Sequence, residues 1–347
     1  MSVAYCYHPL EQEHTLPGHP ENRERLRGTM DLLRQQGLLA RMALVEATPV
    51  SMERLQRVHS PSYVETVQRM AERGGGYLDP DTYVAPRTYD AALLSAGGLV
   101  NLVAAVLQGQ ATYGFNLMRP PGHHAITGRG MGFCIFNNVA IAARYAQAEG
   151  GVERVLIVDF DVHHGNGTQD TFWRDPAVFF FSTHQYPYYP GSGDWREIGG
   201  GEGQGTICNV PLRPGVGDQG YARIFDELLW PLAERFQPQL ILVSAGYDAH
   251  WQDPLAGMQL SLSGYVYLAH ALKTMADELC GGRLAFTLEG GYHLQALAYA
   301  ILNTLRVLLG ELTPEEGEVL DPLGPSPYDE TPVDTLLLQL KGLHRLV

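Results

Sequence analysis

Residues 155–167 read Val155-Leu-Ile-Val-Asp159-Phe-Asp161-Val-His163-His164-Gly-Asn166-Gly. Four apolar residues run without a break into a polar segment punctuated by glycine. An apolar run of this length between turn signals reads as a strand buried on both faces, the kind found in parallel sheets. The polar residues then stand at its carboxyl end, where open α/β sheets bind ligands. In an extended chain residues i, i+2 and i+4 project to the same side. Asp161 and His163 can therefore reach one metal ion together, with a third ligand drawn from elsewhere in the chain.

The same construction recurs on either side. Candidate strands lie at Val3–Tyr7, Tyr113–Met118, Val178–Ser182, Leu240–Ser244 and Leu284–Leu288. Helix-length amphipathic segments alternate with them at Pro20–Leu39, Ser60–Arg73, Thr88–Leu107, Asn137–Glu149, Gly220–Phe236, Ser263–Leu279 and Leu294–Leu309. Strand alternating with helix predicts one three-layer α/β/α domain around a mainly parallel sheet. We read residues 1–347 as that single domain, with a motif-bearing core over about 3–310. The segment from about 313 to 347 is an extension: Thr313–Pro332 is rich in Pro, Glu, Asp and Gly, and a short helix follows at Asp334–Leu346. Glycine clusters at 74–76 and 199–203 read as surface loops.

Three more of these strands end in unusual polar residues. Tyr113–Met118 runs into Arg119-Pro-Pro-Gly-His123-His124, Leu240–Ser244 into Ala-Gly-Tyr-Asp248-Ala-His250, and Leu284–Leu288 into Glu289-Gly-Gly-Tyr292. Asp248, at a neighbouring strand end, is the natural third ligand beside Asp161 and His163. Three protein ligands with a fourth position for water make a catalytic rather than a structural site. Two carboxylates and one imidazole suit Zn²⁺, while Fe²⁺, Co²⁺ or Mn²⁺ can also bind such a set. A strand-end Asp that merely caps the next helix is the ordinary alternative for any one of these motifs alone. His123 and His124 are candidate proton-transfer groups because imidazole titrates near neutrality. Asp159 and Asn166 are available to orient them. Tyr292, freed by two glycines, can donate a hydrogen bond to a developing oxyanion.

Composition narrows the classes. The chain has 347 residues, 45% of them hydrophobic, and a formal net charge of −14. Non-specific nucleic-acid binding needs clustered Lys and Arg, so no direct nucleic-acid partner is expected. An acidic surface draws cationic substrates. No apolar stretch is expected to reach the roughly 20 residues that span a bilayer. The start, MSVAYCYHPLEQEH, lacks the basic and apolar regions of a signal peptide. The expectation is a soluble cytoplasmic protein without a membrane partner, with a homo-oligomer left open. Four scattered cysteines without a C-x-x-C pair read as free thiols, three of them in or beside apolar segments.

Taken together, Arg119-Pro-Pro-Gly-His-His-Ala, Asp159-Phe-Asp-Val-His-His-Gly-Asn-Gly, Ser244-Ala-Gly-Tyr-Asp and Glu289-Gly-Gly-Tyr292 resemble the signature segments of the arginase/deacetylase superfamily. More closely they are similar to class II-type histone deacetylases and bacterial histone deacetylase-like amidohydrolases. His19-Pro-Glu and Tyr189-Pro-Gly-Ser-Gly extend the resemblance over roughly residues 3 to 310. It implies a zinc ion held by Asp161, His163 and Asp248 at the base of a narrow tunnel. It implies His124 as general base and then acid, His123 paired with Asp159 as its electrostatic partner, Asn166 orienting the other imidazole, and Tyr292 polarising the substrate carbonyl. Phe133 and Tyr189 would form the walls beside Gly132, with Leu255 at the mouth and Asp81 as a rim carboxylate. A turn-forming Asp is the ordinary explanation of Asp81. A structural K⁺ would be held by Asp159, Asp161, the His163 carbonyl and Ser182. Position 166 is Asn, as in class II-like members, and position 292 is Tyr, where weakly active members carry His. Tyr189 replaces a common Phe, and apolar Leu255 stands where a specialised polyamine deacetylase carries an acid.

The expected activity is removal of acetyl or other acyl groups from acyl-lysine side chains or small acylated amines. A selective acetylpolyamine amidohydrolase and a non-catalytic acyl-lysine-binding module are the rivals. An arginase-type reaction would need a second set of metal ligands that the sequence does not supply.

Overall fold

The computed structural model describes residues 2–346. Its ten strands are β1 Val3–Cys6, β2 Ala43–Val45, β3 Gly76–Asp79, β4 Thr82–Val84, β5 Tyr113–Asn116, β6 Val155–Asp159, β7 Val178–Gln185, β8 Ile207–Leu212, β9 Leu240–Ala245 and β10 Leu284–Leu288. Eight form one sheet in the order β2-β1-β5-β10-β9-β6-β7-β8, and every neighbouring pair is parallel. β3 and β4 form a separate antiparallel hairpin.

Helices cover both faces. Glu24–Gln35, Leu262–Cys280 and Leu294–Leu308 pack on one side, and Pro61–Glu72, Thr88–Leu107 and Asn138–Ala148 on the other. Each side has its own apolar core against the sheet. Short polar side chains set several helix starts. Ser60 accepts the Tyr63 N–H ahead of Pro61, Asn137 accepts the Ala140 N–H, and Ser261 accepts those of Ser263 and Gly264. Each satisfies amides that the first turn leaves without a partner.

Several elements differ from the sequence reading. β2 and β8 were not expected: β2 is three residues long, and β8 contains Pro211 and the polar Asn209. The glycine cluster at 74–76 is not wholly a loop, since Gly76 opens β3. The segment expected as one helix from Gly220 to Phe236 starts at Asp218 and passes through a π-helical turn at Phe225–Leu229. Helix Glu24–Gln35 starts four residues later than expected, because 20–23 form bends and a turn that place Glu21 inward.

Helix Thr88–Leu107 also overturns the expectation that no apolar segment reaches membrane-spanning length. It has 20 residues and is apolar enough by composition, but 78% of its apolar window is buried inside the protein. Thr88, Asp90, Ser95 and Asn101 interrupt the run, so only its averaged hydropathy reveals it.

The four strands whose ends carry the unusual residues are β5, β10, β9 and β6, and they are consecutive in the middle of the sheet. With neighbouring strands about 4.8 Å apart, their carboxyl ends fall within roughly 15 Å of one another. Register tightens this further, since Asp159 stands level with Ser182 on β7 and Ser244 on β9.

A buried histidine ties down the loop beside this edge. His59 Nε2 accepts the Asn137 N–H at 2.8 Å, so its Nδ1 carries the proton and donates to the Ile126 carbonyl at 3.1 Å. Burial, opposed only in part by hydrogen bonding to the Ile126 and Thr127 backbone, lowers its pKa to about 4. The unfolded chain therefore binds a proton near pH 6.5 that the folded chain refuses, and this stability is complete above about 6.5 and lost as pH falls towards 4. Urea unfolding between pH 7 and 4 is expected to show His59→Gln with a shallower loss than the wild type, by up to about 1.4 kcal/mol per pH unit. Parallel curves would contradict the assignment.

Candidate functional site

After β6 the chain makes two successive turns, each closed by an aspartate. Asp159 Oδ1 accepts the Asp161 N–H at 3.1 Å, and Asp161 Oδ1 accepts the His163 N–H at 2.9 Å. A carboxylate bonding the amide two residues on is a local turn device, and here it aims consecutive acids. Asp248, beyond β9, reaches across to accept the Val162 N–H at 2.9 Å. Asp161 Oδ2 accepts the Gly290 N–H at 2.7 Å. Position 290 must be glycine, since a Cβ there would lie 2.1 Å from Asp248 Oδ2.

These bonds bring the three expected metal ligands together. His163 Nδ1 lies 3.2 Å from Asp161 Oδ1 and 3.2 Å from Asp248 Oδ2, and one donor atom from each residue falls within 4.8 Å of the others. Burial opposes a charged His163, but the two carboxylates outweigh it and raise its pKa to about 10. The site thus favours positive charge at that point. A divalent cation would supply it and leave His163 a neutral imidazole ligand, so the donor set fits zinc.

A second group, His123, Cys134 and Glu289, also lies within metal-binding distance. Its carboxylate is already occupied. Glu289 Oε2 accepts the N–H groups of Gly122 at 2.7 Å and His123 at 3.2 Å, and its Oε1 accepts the Ser244 hydroxyl at 3.1 Å. Burial raises the Cys134 thiol well above its ordinary value, which disfavours the thiolate a metal needs. Ser182, expected beside Asp159, is there by register, and its hydroxyl lies 2.9 Å from His184 Nδ1.

The paired histidines have the expected partners. His123 Nδ1 is 3.0 Å from Asp159 Oδ2, and His124 Nδ1 is 2.8 Å from Asn166 Oδ1. Burial works against a charged His123, yet Asp159 and Asp161 hold its pKa up to about 10. Burial and the neighbouring His123 and His163 charges push His124 well below 6.5. The amide of Asn166 fixes the tautomer: its Nδ2 donates to the His124 carbonyl at 3.3 Å, so its Oδ1 accepts from Nδ1–H. A neutral His124 keeps Nε2 as a lone pair for a proton.

Around these groups lies a cavity of about 410 Å³. His124, His163 and Tyr292 line it together with Phe133, Tyr189, Leu255 and Gly132. Asp81 also lines it, at the tip of the β3–β4 hairpin, with its side chain 72% exposed. The turn there is closed by Asp79, whose Oδ1 accepts the Asp81 N–H at 2.9 Å. Gly132 and Phe133 both have positive φ, 56° and 69°, and a Cβ at 132 would meet His124 Cδ2 at 2.4 Å. Burial raises the Tyr292 phenol well above 10, so it remains a hydrogen-bond donor.

Several contributors escaped the sequence reading. Pro20, Tyr188 and Asp79 line the cavity, and the Tyr188 ring stacks on His163 at 5.7 Å. Arg25 donates from Nε to the Gly291 carbonyl at 2.7 Å and from Nη2 to the Glu289 carbonyl at 2.6 Å, and lies 4.9 Å over the Tyr292 ring. It pairs with Glu21, which also takes Arg119 Nε at 2.6 Å, and Arg119 in turn pairs with Glu11 at 2.9 Å. All four side chains are fully buried. Glu21 and Arg119 lay in the quoted motifs. Arg25 carried one available signal, a cation on the same face as Thr29, Met30 and Leu33, the inward face of an amphipathic helix.

The Histone deacetylase domain description matches residues 19–308. The histone deacetylase-like amidohydrolase of Pseudomonas aeruginosa is 42% identical over 307 residues, covering 88% of this chain and 80% of that protein. The polyamine deacetylase HDAC10 of Homo sapiens is 41% identical over 307 residues, 85% of this chain but 45% of that protein. The crystal structure of the HDA15 HD domain superposes with a TM-score of 0.89 at 34% identity, over 99% of this chain and 94% of that one.

Removing one member of a buried ion pair leaves its partner charged and uncompensated. Glu21→Gln is therefore expected to cost about 3 kcal/mol or more in urea unfolding at pH 7. A loss under about 1 kcal/mol, the scale of an exposed pair, would contradict the network's place in the fold.

Proposed function

The chain belongs to the histone deacetylase family, and we propose that it is a zinc-dependent amidohydrolase removing acetyl or other acyl groups from acyl-lysine side chains or small acylated amines. One observation carries the reading. His163, which groups with Asp161 and Asp248, lines the same cavity as a neutral, oriented His124 and a protonated Tyr292. We read residues 1–347 as one catalytic domain.

In this reading Asp161, His163 and Asp248 hold the zinc. A zinc ion bound there would supply Lewis acidity towards the acyl carbonyl and would lower the pKa of water towards about 7. His124 Nε2 takes the proton of the attacking water and returns it to the leaving nitrogen, so that a carbon–oxygen bond forms and the amide carbon–nitrogen bond breaks. Tyr292 donates its hydroxyl proton as a hydrogen bond to the developing oxyanion. The His123–Asp159 pair keeps positive charge beside His124. That charge opposes premature protonation of His124, consistent with its depressed pKa. Phe133, Tyr189 and Gly132 enclose the acyl-bearing chain, Leu255 borders the entrance, and Asp81 offers a carboxylate to a substrate amide or cation. Asp159, Asp161, the His163 carbonyl and Ser182 would hold K⁺.

A selective polyamine deacylase is the second reading, favoured by Asp79 and Asp81 at the cavity and opposed by the apolar Leu255. An acetyl-lysine peptide and an N-acetylated polyamine, each assayed with and without a zinc chelator, separate the two. Chelator-sensitive release of amine from either is the expected result, and the ratio of rates decides between the readings. No cleavage of either by zinc-loaded protein would sink the proposal. His124→Ala and Tyr292→Phe should each lower kcat at least about 10²-fold with the circular dichroism spectrum unchanged. Near-normal turnover in either variant would remove the role given to that residue.

A further inference from the structure

One buried carboxylate joins two cavity loops and has no part in the chemistry above. Asp253, 6% exposed, follows β9 in the segment Gln252-Asp253-Pro254-Leu255. Its Oδ1 accepts the Leu255 N–H at 3.0 Å. That bond to the amide two residues on is what a turn-forming aspartate makes. Its other oxygen does something the turn does not require. Oδ2 accepts the N–H of Tyr292 at 2.7 Å and that of His293 at 3.1 Å, 39 and 40 residues away.

We propose that Asp253 is a positioning residue that holds the carbonyl-polarising Tyr292 and the entrance residue Leu255 in fixed relation; this rests on the amidohydrolase reading for what Tyr292 does. The need for such a residue lies in the sequence before Tyr292. Gly290 and Gly291 give that backbone wide freedom, and Gly291 sits at φ 117°, where side chains rarely go. Arg25 restrains the segment on its carbonyl side through Glu289 and Gly291. Asp253 restrains it on the amide side, at the residue whose phenol must meet the substrate. The same carboxylate fixes the Leu255 peptide from its N–H while the Tyr188 hydroxyl donates to its carbonyl at 2.9 Å. A displacement of about 1 Å in a positioned group can cost about 10²-fold in rate.

Asp253→Ala removes both acceptor oxygens, so the N–H groups of Leu255, Tyr292 and His293 all lose their partner. The expected result is a fall in kcat of about tenfold or more with KM changed less than about threefold. Hydrogen exchange should quicken at the Tyr292 and His293 amides but not in β6 or β9. In a Tyr292→Phe background the same substitution should lower kcat less than about threefold further, because the hydroxyl it positions is already gone. A merely structural role would give the same fold-loss in both backgrounds, and that result overturns the inference. So does unchanged exchange at the two amides. If the wild-type protein turns over no acyl substrate, the amidohydrolase reading fails, and the exchange comparison still decides whether Asp253 holds the loop.

Discussion

Four carboxylates with almost no solvent contact converge on one edge of this sheet: Asp159, Asp161, Asp248 and Glu289. A buried carboxylate is tolerated only when paired and hydrogen-bonded, and much of the local sequence follows from that requirement. Glu289 takes two backbone amides and a serine hydroxyl. Asp159 takes the cationic His123. Asp161 and Asp248 face one imidazole and a position suited to a divalent cation. The tight turns, the glycine at 290 and the vicinal histidines all bring donors to these acids. The charge that makes the site costly to fold is the same charge that binds a metal and tunes the two histidines in opposite directions.

A second buried charge system lies behind the Tyr292 loop. Glu11, Arg119, Glu21 and Arg25 alternate in sign and end on the carbonyls of Glu289 and Gly291. This places the first 25 residues and the turn after β5 in mechanical contact with the residue that polarises the substrate. Two of the motifs, His19-Pro-Glu and Arg119-Pro-Pro-Gly, thereby acquire a physical reason. They supply the middle two members of that chain, and the cis Arg119–Pro120 bond lies within the second.

Much of this was legible in the sequence because strand ends announce themselves. Near-continuous apolar runs marked β6, β9 and β10, and the polar residues just past them marked the sheet edge that binds. Asp159 and Asn166 could be read from the residues as orienting groups for the two histidines, while the pairing of His123 with Asp159 was what the family resemblance implied. The elements that escaped lacked a local pattern. β2 is too short to show alternation, and β8 carries a proline and an asparagine. Helix Asn166–Phe172 opens on Asn-Gly, which reads as a turn. Arg25 and Asp253 escaped for a different reason. Their function lies in backbone groups more than 35 residues away in sequence, and no spacing rule reports such bonds.

The account stands or falls on where the metal sits. Anomalous X-ray scattering at the zinc edge, from crystals of the zinc-loaded protein, tests that most directly. A single strong peak bounded by Asp161, His163 and Asp248 is the predicted result. No peak there, or one confined to the His123–Cys134–Glu289 group, would contradict the assignment of the ligands and the chemistry built on it.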